Sequence, residues 1–389
     1  MKTADIPVIE LNGTPRERGR IYGETAKHLI ANVVEAWRAD LGSFGQNSAT
    51  ENANTNTIDP DVYLSEFFLQ THFLNSIEKW TPDLLEEVKG IAEGAEQTFS
   101  NILGLQLMDE EWIFGLRRRL NKPTTKCTAF GVPNQENGIS YAGQNMDIPS
   151  WIEGAQVLLR VMPTDVSPEA LVFSFAGSIG LNGLNAGGLG ITCNTLPQLN
   201  YSIHGLPVLF IVRSILQCQN IENAEQFLRS IQHASGQNFI LSSLDDMQCF
   251  ECCGTSIARY APKELNGRVM HSNHPLTNND KSDLSELTRG RRENSEARLA
   301  SIYERLGNMS RSMTLDDIKA ALAAHDDPDN PVSRRINPAN VGNSIGYTAG
   351  SSIYEFSDVP RLHLAAGPPC ETAFDVFEFI TSTRQSIEY

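Results

Sequence analysis

An internal cysteine, Cys127, stands in the segment KCTAFG at residues 126–131, and the segment GQNMD follows at residues 143–147. Cleavage of the Lys126–Cys127 bond would give Cys127 a free α-amino group, whose reference pKa is about 8. An amine with that pKa is a suitable general base near neutral pH. One residue would then supply both a thiol nucleophile and its base. The pattern therefore predicts an enzyme that exposes its nucleophile by cutting its own chain.

Three further polar residues occupy positions from which they could serve such a nucleophile. Asp147 follows Cys127 by about twenty residues, which is the reach of a hairpin returning beside the first strand. Asn194 and Asn273 lie at the ends of strand-like segments, and neutral amide donors suit an oxyanion hole. The alternative for all three is a structural role in a turn, which Asp and Asn commonly take.

The elements that must position these residues are predicted from local patterns. Thr14, Pro15 and Glu17 form a capping-box pattern that starts a helix running to about residue 40. The polar stretch Ser43–Pro60 is predicted to be a flexible loop, and further helices are expected from residue 82 and over 100–118. After residue 126, short apolar or alternating segments separated by Gly, Pro or Asn predict successive antiparallel strands. Helices are expected at 206–217, 224–233, 283–306 and 315–324, and strands close the chain. This order predicts an α+β fold, with two sheets packed face to face and flanked by helices.

Several segments resemble, in the same order, those of the acyl-coenzyme A:6-aminopenicillanic acid acyltransferase family. These are N-terminal-nucleophile (Ntn) cysteine hydrolases, related to choloylglycine hydrolases and β-alanyl-amine hydrolases. The resemblance implies an αββα Ntn-hydrolase sandwich formed by residues 1–389 as one domain, with 1–126 as an α chain and 127–389 as a β chain that begins at the nucleophile. The segments that carry it are VIELNGTP at 8–15 with Gly19 and Gly23, CTA at 127–129, GQNMD at 143–147, GLNAGGL at 183–189 with Asn194, HSNH at 271–274, HD at 325–326 with Pro331 and Arg335, and GPPC at 367–370.

The resemblance also implies roles for individual residues. Asp147 is expected to orient the nucleophile and its amine, and Asn194 and Asn273 are expected to form the oxyanion hole. Arg335 is the expected cation of the site, with Arg334 as the alternative because the register there is ambiguous. A guanidinium close to Cys127 would lower the pKa of its thiol. The implied activity is hydrolysis or transfer of the acyl group of a small acyl-amide, with acyl-CoA as a possible donor and without a cofactor.

Two departures from the family pattern leave alternatives open. The family often has Gly before the nucleophile, where this chain has Lys126, and it has Ser where this chain has Val332. One alternative is an unprocessed thiol hydrolase in which a histidine acts as base to Cys127. The other is a catalytically silent protein that binds a ligand in the same cleft. The candidate bases are His271, His274 and His325.

A zinc site is the competing interpretation of the C-x2-C pair Cys249 and Cys252 with His271 and His274. The two cysteines lie three apart in strand-like sequence, so we expect their side chains on opposite faces and no bound metal.

The bulk composition restricts location and partners. A net charge of −16 argues against nucleic acid or an anionic membrane as the main partner. Seven cysteines in a chain of 389 residues fit reduced thiols, and there is no apolar run of signal-peptide or membrane-span length. We therefore expect a cytoplasmic protein acting on a small molecule, with its two fragments remaining associated and with homo-oligomers possible.

Overall fold

The computed structural model describes residues 6–42, 58–115, 126–133, 138–283, 285, 292–307, 312–337 and 346–380. The helices in these ranges are α1 Pro15–Thr25, α2 Lys27–Gly42, α3 Pro60–Gln70, α4 Phe73–Trp80, α5 Pro82–Gly94, α6 Phe99–Gln106, α7 Met108–Gly115, α8 Val208–Ile215, α9 Ile221–Ser230, α10 Arg292–Ile302 and α11 Leu315–Leu322. The strands are β1 Val8–Leu11, β2 Lys126–Val132, β3 Ser140–Pro149, β4 Gln156–Val161, β5 Ala170–Phe175, β6 Asn182–Asn185, β7 Gly190–Thr195, β8 Gln237–Ser242, β9 Met247–Cys252, β10 Ile257–Tyr260, β11 Val269–His271, β12 Gly346–Phe356, β13 Arg361–Ala365 and β14 Asp375–Phe377.

The strands form two sheets, which confirms the predicted α+β class. The larger sheet has the order β1-β4-β5-β6-β7-β8-β9-β10, and the smaller has the order β11-β2-β3-β12-β13-β14. All strand pairs are antiparallel except β1 with β4, which is parallel. Strands β2 and β3 lie in the middle of the smaller sheet, so the hairpin predicted between Cys127 and Asp147 is placed in the core.

Alternation along β2 shows how the layers are stacked. Cys127 and Ala129 belong to the core that the two sheets share, while Phe130 and Val132 belong to a second core against α10 and α11. Successive side chains of a strand point to opposite faces. The smaller sheet is therefore covered by the larger sheet on one face and by α10 and α11 on the other. On the far side of the larger sheet, α1, α8 and α9 contact β1, β7 and β8, which completes the predicted αββα order.

The local predictions are confirmed where side chains cap helices and are less accurate where helices break. The capping box of Thr14 and Glu17 is present, and Thr14 accepts a hydrogen bond from the backbone of Glu17. The helix predicted to run to about residue 40 is two helices, α1 and α2, and the helix predicted over 100–118 is divided into α6 and α7. The loop predicted at Ser43–Pro60 falls mostly on residues 43–57, which lie outside the described residues.

Two glycines of the sequence pattern, Gly19 and Gly23, permit a close crossing of α1 and α5. A Cβ at Gly19 would overlap the carbonyl of Glu87, and one at Gly23 would overlap the carbonyl of Ile91. This crossing fixes α5 against the start of the chain. No helix in the described ranges has the length and apolar character needed to span a membrane.

Candidate active site

Cys127 is the second residue of β2, and its side chain points into the core between the sheets. The thiol is 2% exposed, and its Sγ lies 3.4 Å from Sδ of Met146. Cys127 is directly opposite Met146 on β3, and Lys126 is opposite Asp147. The hairpin thus brings the predicted cleavage bond and the predicted carboxylate to the same end of the sheet.

The backbone of Cys127 lies beyond the end of its other neighbouring strand. Strand β11 ends at His271, which is opposite Ala129, so no strand of the described ranges pairs with Cys127 on that side. Side chains take the place of the missing strand. The N–H of Cys127 donates to Oδ1 of Asn273 at 2.7 Å, and its carbonyl accepts from Nη1 of Arg298 at 2.6 Å. The backbone N–H and C=O of Cys127 are therefore both hydrogen-bonded by side chains rather than by a neighbouring strand.

Arg298, on α10, is the main site residue that the sequence reasoning missed. Its guanidinium also donates to Oγ1 of Thr128 at 2.7 Å and to Oδ1 of Asn273 at 2.9 Å. Burial lowers the pKa of Arg298 to about 10, so it remains charged at neutral pH. Ser295, Arg298 and Ile302 share the buried face of α10 at helical spacing, but the sequence of this helix is mostly polar, so it did not reveal which face is buried. An arginine on a buried stripe requires buried acceptors.

Asp147 is buried, and half of its carboxylate is satisfied. Oδ1 accepts from Oγ1 of Thr348 at 2.7 Å, whereas Oδ2 has no hydrogen-bond partner within the described ranges. Burial raises the pKa of Asp147, and the charges of Arg334 and Arg298 oppose that rise. A carboxylate oxygen without a hydrogen-bond partner among the described residues, beside the end of β2, could accept from a new donor.

The two arginines of the ambiguous register have different environments. Arg335 is at the surface, where it pairs with Glu371 at 2.7 Å and contacts His325 at 3.2 Å. Arg334 is bound through its backbone N–H to Oγ1 of Thr348 at 2.8 Å, and its charge acts on Asp147. Arg334 is therefore close enough to Asp147 for its charge to act on the carboxylate, whereas Arg335 contacts Glu371 and His325 at the surface.

The two asparagines also differ in their surroundings. Asn273 lies against Cys127, but its Nδ2 donates to the carbonyl of Thr195 at 3.1 Å. Asn194 is fully buried on β7 and accepts from Nδ2 of Asn238 at 3.0 Å, while its own Nδ2 has no partner within the described part of the chain. Asn194 is not among the residues lining the cavity at Cys127. Of the two expected oxyanion donors, Asn273 is therefore the one hydrogen-bonded to Cys127 in the described part of the chain.

A small cavity adjoins the thiol of Cys127. Its volume is about 30 Å³, which is room for only a few water molecules at most. Among the described residues of its lining, Asp109 on α7 is the one with a charged side chain, and it was also missed by the sequence reasoning. The lining residues are Met108, Asp109, Cys127, Met146, Ile148, Phe175, Leu181, Cys193, Thr195, Val208 and Leu209.

The thiol itself is held in its neutral form. Burial raises the pKa of Cys127, and the negative charges of Asp147 and Asp109 raise it further, while Arg298 lowers it. Together these effects raise the pKa of the Cys127 thiol. In the uncleaved chain the thiol is therefore protonated at neutral pH, and a base is needed to make it a nucleophile.

The three histidines of the thiol-hydrolase alternative make their hydrogen bonds elsewhere. His271 bonds Glu251 and the carbonyl of Ser272, and His274 bonds Ser295 and Ser272. His325 bonds the carbonyl of Ala323 and Arg335. Within the described ranges none of the three contacts Cys127 through a hydrogen bond, so this alternative receives no support.

The zinc interpretation receives no support either. Sγ of Cys249 lies 2.9 Å from Oδ1 of Asn238, and His271 is bound to Glu251 at 2.8 Å. In the part of the chain that the structure describes, no group of three or more His, Cys, Asp or Glu side chains is arranged to hold a metal ion.

Comparisons with known proteins agree with the sequence resemblance. The family described as acyl-coenzyme A:6-aminopenicillanic acid acyl-transferase matches residues 134–359, a range that contains Asp147, Asn194, Asn273 and Arg298 but begins after Cys127. The 40 kDa form of acyl-coenzyme A:6-aminopenicillanic-acid-acyltransferase from Emericella nidulans is 25% identical over 275 residues, which are 70% of this chain and 71% of that protein.

Two solved structures are also similar. The N-acylethanolamine-hydrolyzing acid amidase ortholog of Caenorhabditis elegans is 14% identical, with a TM-score of 0.39, over 58% of this chain and 92% of its own. A variant of the conjugated bile acid hydrolase of Clostridium perfringens is 14% identical, with a TM-score of 0.39, over 65% of this chain and 97% of its own. The family match covers more than half of the chain, so the protein belongs to the acyl-coenzyme A:6-aminopenicillanic acid acyl-transferase family and is an enzyme of the amidohydrolase and acyltransferase class.

Proposed function

We propose that the protein is a self-cleaving cysteine amidohydrolase that acts on a linear C–N amide of a small acylated amine. Cys127 is the proposed nucleophile, and the Lys126–Cys127 bond is the proposed cleavage site. The α chain would be residues 1–126 and the β chain residues 127–389, together forming one catalytic domain.

One observation carries the proposal, namely the way in which the backbone nitrogen of Cys127 is held. It donates to Asn273 at 2.7 Å, outside any β-ladder, and Asp147 with its free Oδ2 is opposite the preceding residue. After cleavage the same nitrogen would be an amine with a defined acceptor and a carboxylate close by. A general base must lie within reach of the proton it removes before its pKa becomes relevant. The contacts of the Cys127 nitrogen support such a placement for an α-amine.

Self-cleavage would proceed through the thiol of Cys127. Sγ attacks the carbonyl carbon of Lys126, the C–N bond to Cys127 breaks, and the thiol proton passes to the departing nitrogen. The chain is then joined by a thioester. Water hydrolyses it, leaving a carboxylate on Lys126 and a free thiol and amine on Cys127.

Turnover would repeat the same chemistry on a substrate. The α-amine takes the thiol proton, Sγ attacks the amide carbonyl, and the proton is given to the leaving amine. Water then hydrolyses the acyl-enzyme. Asn194 and Asn273 stay the proposed oxyanion donors. The buried Nδ2 of Asn194 has no partner within the described ranges, although Asn194 does not line the cavity of the uncleaved chain.

Hydrolysis is preferred over acyl transfer because water is always present as an acceptor. Transfer from acyl-CoA to an amine remains the second reaction of the same acyl-enzyme, as the name of the Emericella nidulans relative indicates for that protein. A cytoplasmic location and a homo-oligomeric state stay predictions.

The test is the intact mass of the freshly purified protein, measured beside Cys127→Ala and Cys193→Ala. Cys193 is a matched control because its thiol lines the same cavity. We expect fragments 1–126 and 127–389 from the wild type and from Cys193→Ala, and one intact chain from Cys127→Ala. A wild-type protein that stays intact and hydrolyses no acyl-amide would favour the silent ligand-binding alternative.

A further inference from the structure

A second pocket lies in the helical layer that covers the outer face of the larger sheet. It is bordered by the start of α1, the first turn of α5, the C-terminal end of α8 and the hairpin that joins β4 to β5. Its volume is about 580 Å³, which is within the usual range of small-molecule sites. Among the described residues, none lines both this pocket and the cavity at Cys127, so the two are separate.

Two buried arginines that share one carboxylate form the base of this pocket. Arg18 on α1 is 7% exposed and Arg213 on α8 is 2% exposed, and both line the pocket. Nε of Arg18 lies 3.2 Å from Oε2 of Glu87, and Nη1 of Arg213 lies 2.9 Å from Oε1 of the same side chain. Within the described ranges neither arginine pairs with a second carboxylate. Two positive charges and one negative charge leave this buried cluster with one excess positive charge.

The hydrogen-bond donors of the two arginines are only partly used. Each guanidinium has five N–H groups. In the described part of the chain, Arg18 donates two bonds, to Glu87 and to the carbonyl of Gly13. Arg213 donates three, two to Glu87 and one to the carbonyl of Ile179. Ten donors less these five leave five N–H groups for an acceptor from outside the described residues, and a charged oxygen is the strongest acceptor for a guanidinium.

We propose that this pocket is a binding site for an organic carboxylate with a short hydrocarbon body. The carboxylate accepts from the unused N–H groups of Arg18 and Arg213, and its single charge balances the excess positive charge of the cluster. Guanidinium groups suit this ligand because they bind carboxylates through two parallel hydrogen bonds. The inference goes beyond the proposed function, since it depends neither on cleavage of the chain nor on turnover.

The rest of the lining favours a carboxylate over a phosphate ester. Val161, Ala170 and Leu216 give the pocket apolar walls, which suit a hydrocarbon body. Asp83 is exposed and is the one acid among the described residues of the lining. A phosphate ester has a charge of about −1.5 to −2 near pH 7, which exceeds the excess charge of the cluster and is repelled more strongly by Asp83. A monoanion therefore matches the pocket better.

The first experiment measures the charge preference of the protein by isothermal titration calorimetry with hexanoate, hexanol and hexylammonium. These three probes have the same hydrocarbon body and are not amides, so the enzyme does not consume them. We expect hexanoate to bind with a Kd near about 1 mM. Hexanol and hexylammonium should bind at least about 10-fold more weakly, because they cannot accept a charge-assisted hydrogen bond in the same way. Equal binding of hexanoate and hexanol would overturn the inference, and tighter binding of inorganic phosphate than of hexanoate would overturn the choice of a carboxylate.

The second experiment locates the binding by repeating the hexanoate titration with three variants. Arg18→Gln removes one charged donor while Arg213 keeps its pair with Glu87, and it should weaken binding about 10- to 100-fold. Gln217→Glu adds a negative charge to the lining and should weaken binding about 3- to 10-fold. Asp83→Asn removes a negative charge from the lining and should tighten binding by a similar factor.

A matched control separates a local effect from a change in net charge. Asn223 on α9 is exposed and is not part of the described lining, so Asn223→Asp should change the Kd for hexanoate less than about 2-fold because solvent and salt screen its charge. Gln217→Glu and Asp83→Asn leave the buried cluster intact, so they decide the matter even where Arg18→Gln does not fold. Hexanoate binding that Gln217→Glu and Asp83→Asn both leave unchanged would overturn the inference, while the proposed function would still stand.

Discussion

Replacement of Arg298 by methionine tests whether a buried cation positions the nucleophile. The side chain is 1% exposed, and its guanidinium is bound to the carbonyl of Cys127, Oγ1 of Thr128 and Oδ1 of Asn273. All three acceptors lose their charged donor in the variant, and Asn273 keeps only the N–H of Cys127. Each hydrogen bond to a charged group contributes about 1.5 to 3 kcal/mol. Loss of one such contribution in the cleavage transition state slows cleavage about 10- to 100-fold.

Arg298→Met is expected to affect the cleavage rate more than the free energy of unfolding. Removing the arginine also removes the cost of burying a cation, and this offsets part of the lost hydrogen bonding. Arg213→Met is the matched control. Arg213 is equally buried, but it pairs with Glu87 at 2.9 Å, away from Cys127. Breaking that buried pair is expected to lower the free energy of unfolding by about 3 to 5 kcal/mol without changing the cleavage rate of the folded protein.

Two measurements separate positioning from stability. The cleavage rate is followed by intact mass, and the pH profile of Cys127 alkylation by iodoacetamide is followed by peptide mapping. Because the charge of Arg298 lowers the pKa of the thiol, Arg298→Met is expected to shift the profile to higher pH, and Arg298→Lys to restore it in part. Equal cleavage rates and equal profiles for Arg298→Met and Arg213→Met would refute the positioning role.

Two further predictions concern charges near the site. Burial raises the pKa of Glu110 from 4.5 to about 8, so the folded state binds this proton more tightly than the unfolded state, and the free energy of unfolding falls as pH rises between those values. Glu110→Gln should remove on the order of 5 kcal/mol of that fall; urea titrations in which the variant keeps the wild-type pH dependence would contradict this. Arg334→Met is expected to slow cleavage several-fold because the charge of Arg334 lowers the pKa of Asp147, whereas Arg335→Ala should be neutral because its pair with Glu371 is exposed. Slower cleavage in Arg335→Ala alone, measured by intact mass, would reverse this assignment.

The hairpin of β2 and β3 at the centre of the site could be predicted because it depends on residues close together in the sequence. The spacing between Cys127 and Asp147, with strand-like residues on both sides, predicts two paired strands, and the structure pairs them. The capping box at Thr14 is another local signal, and it is confirmed. Helix breaks are harder to predict: α6 ends at Gln106 and α7 begins at Met108, and the leucine between them gives no signal for a break.

Site residues that are distant from Cys127 in the sequence could not be predicted from local patterns. Arg298 belongs to a helix whose sequence is mostly polar, and its partners on β2 are about 170 residues away in the chain. Asp109 belongs to a run of three acidic residues, Asp109–Glu111, which resembles an ordinary solvated helix face. In both cases the deciding fact is burial, which composition alone does not reveal. Arg334 and Arg335 lie in a segment without regular structure, where no periodicity fixes which side chain points inward.

The contacts across the proposed cut explain why cleavage would not release the α chain. Strand β1 pairs with β4, so residues before 126 supply one edge of the larger sheet. Glu87 on α5 forms a buried pair with Arg213 on α8, and separating such a pair would leave a buried charge unpaired. Asp109 is bound to Thr195 and Gln237, so the cavity of the nucleophile is itself built from both sides of the cut. Because both fragments contribute to the core and to the cavity, we expect them to stay associated after the proposed cleavage, so that the new α-amine of Cys127 would be the main chemical change at the site.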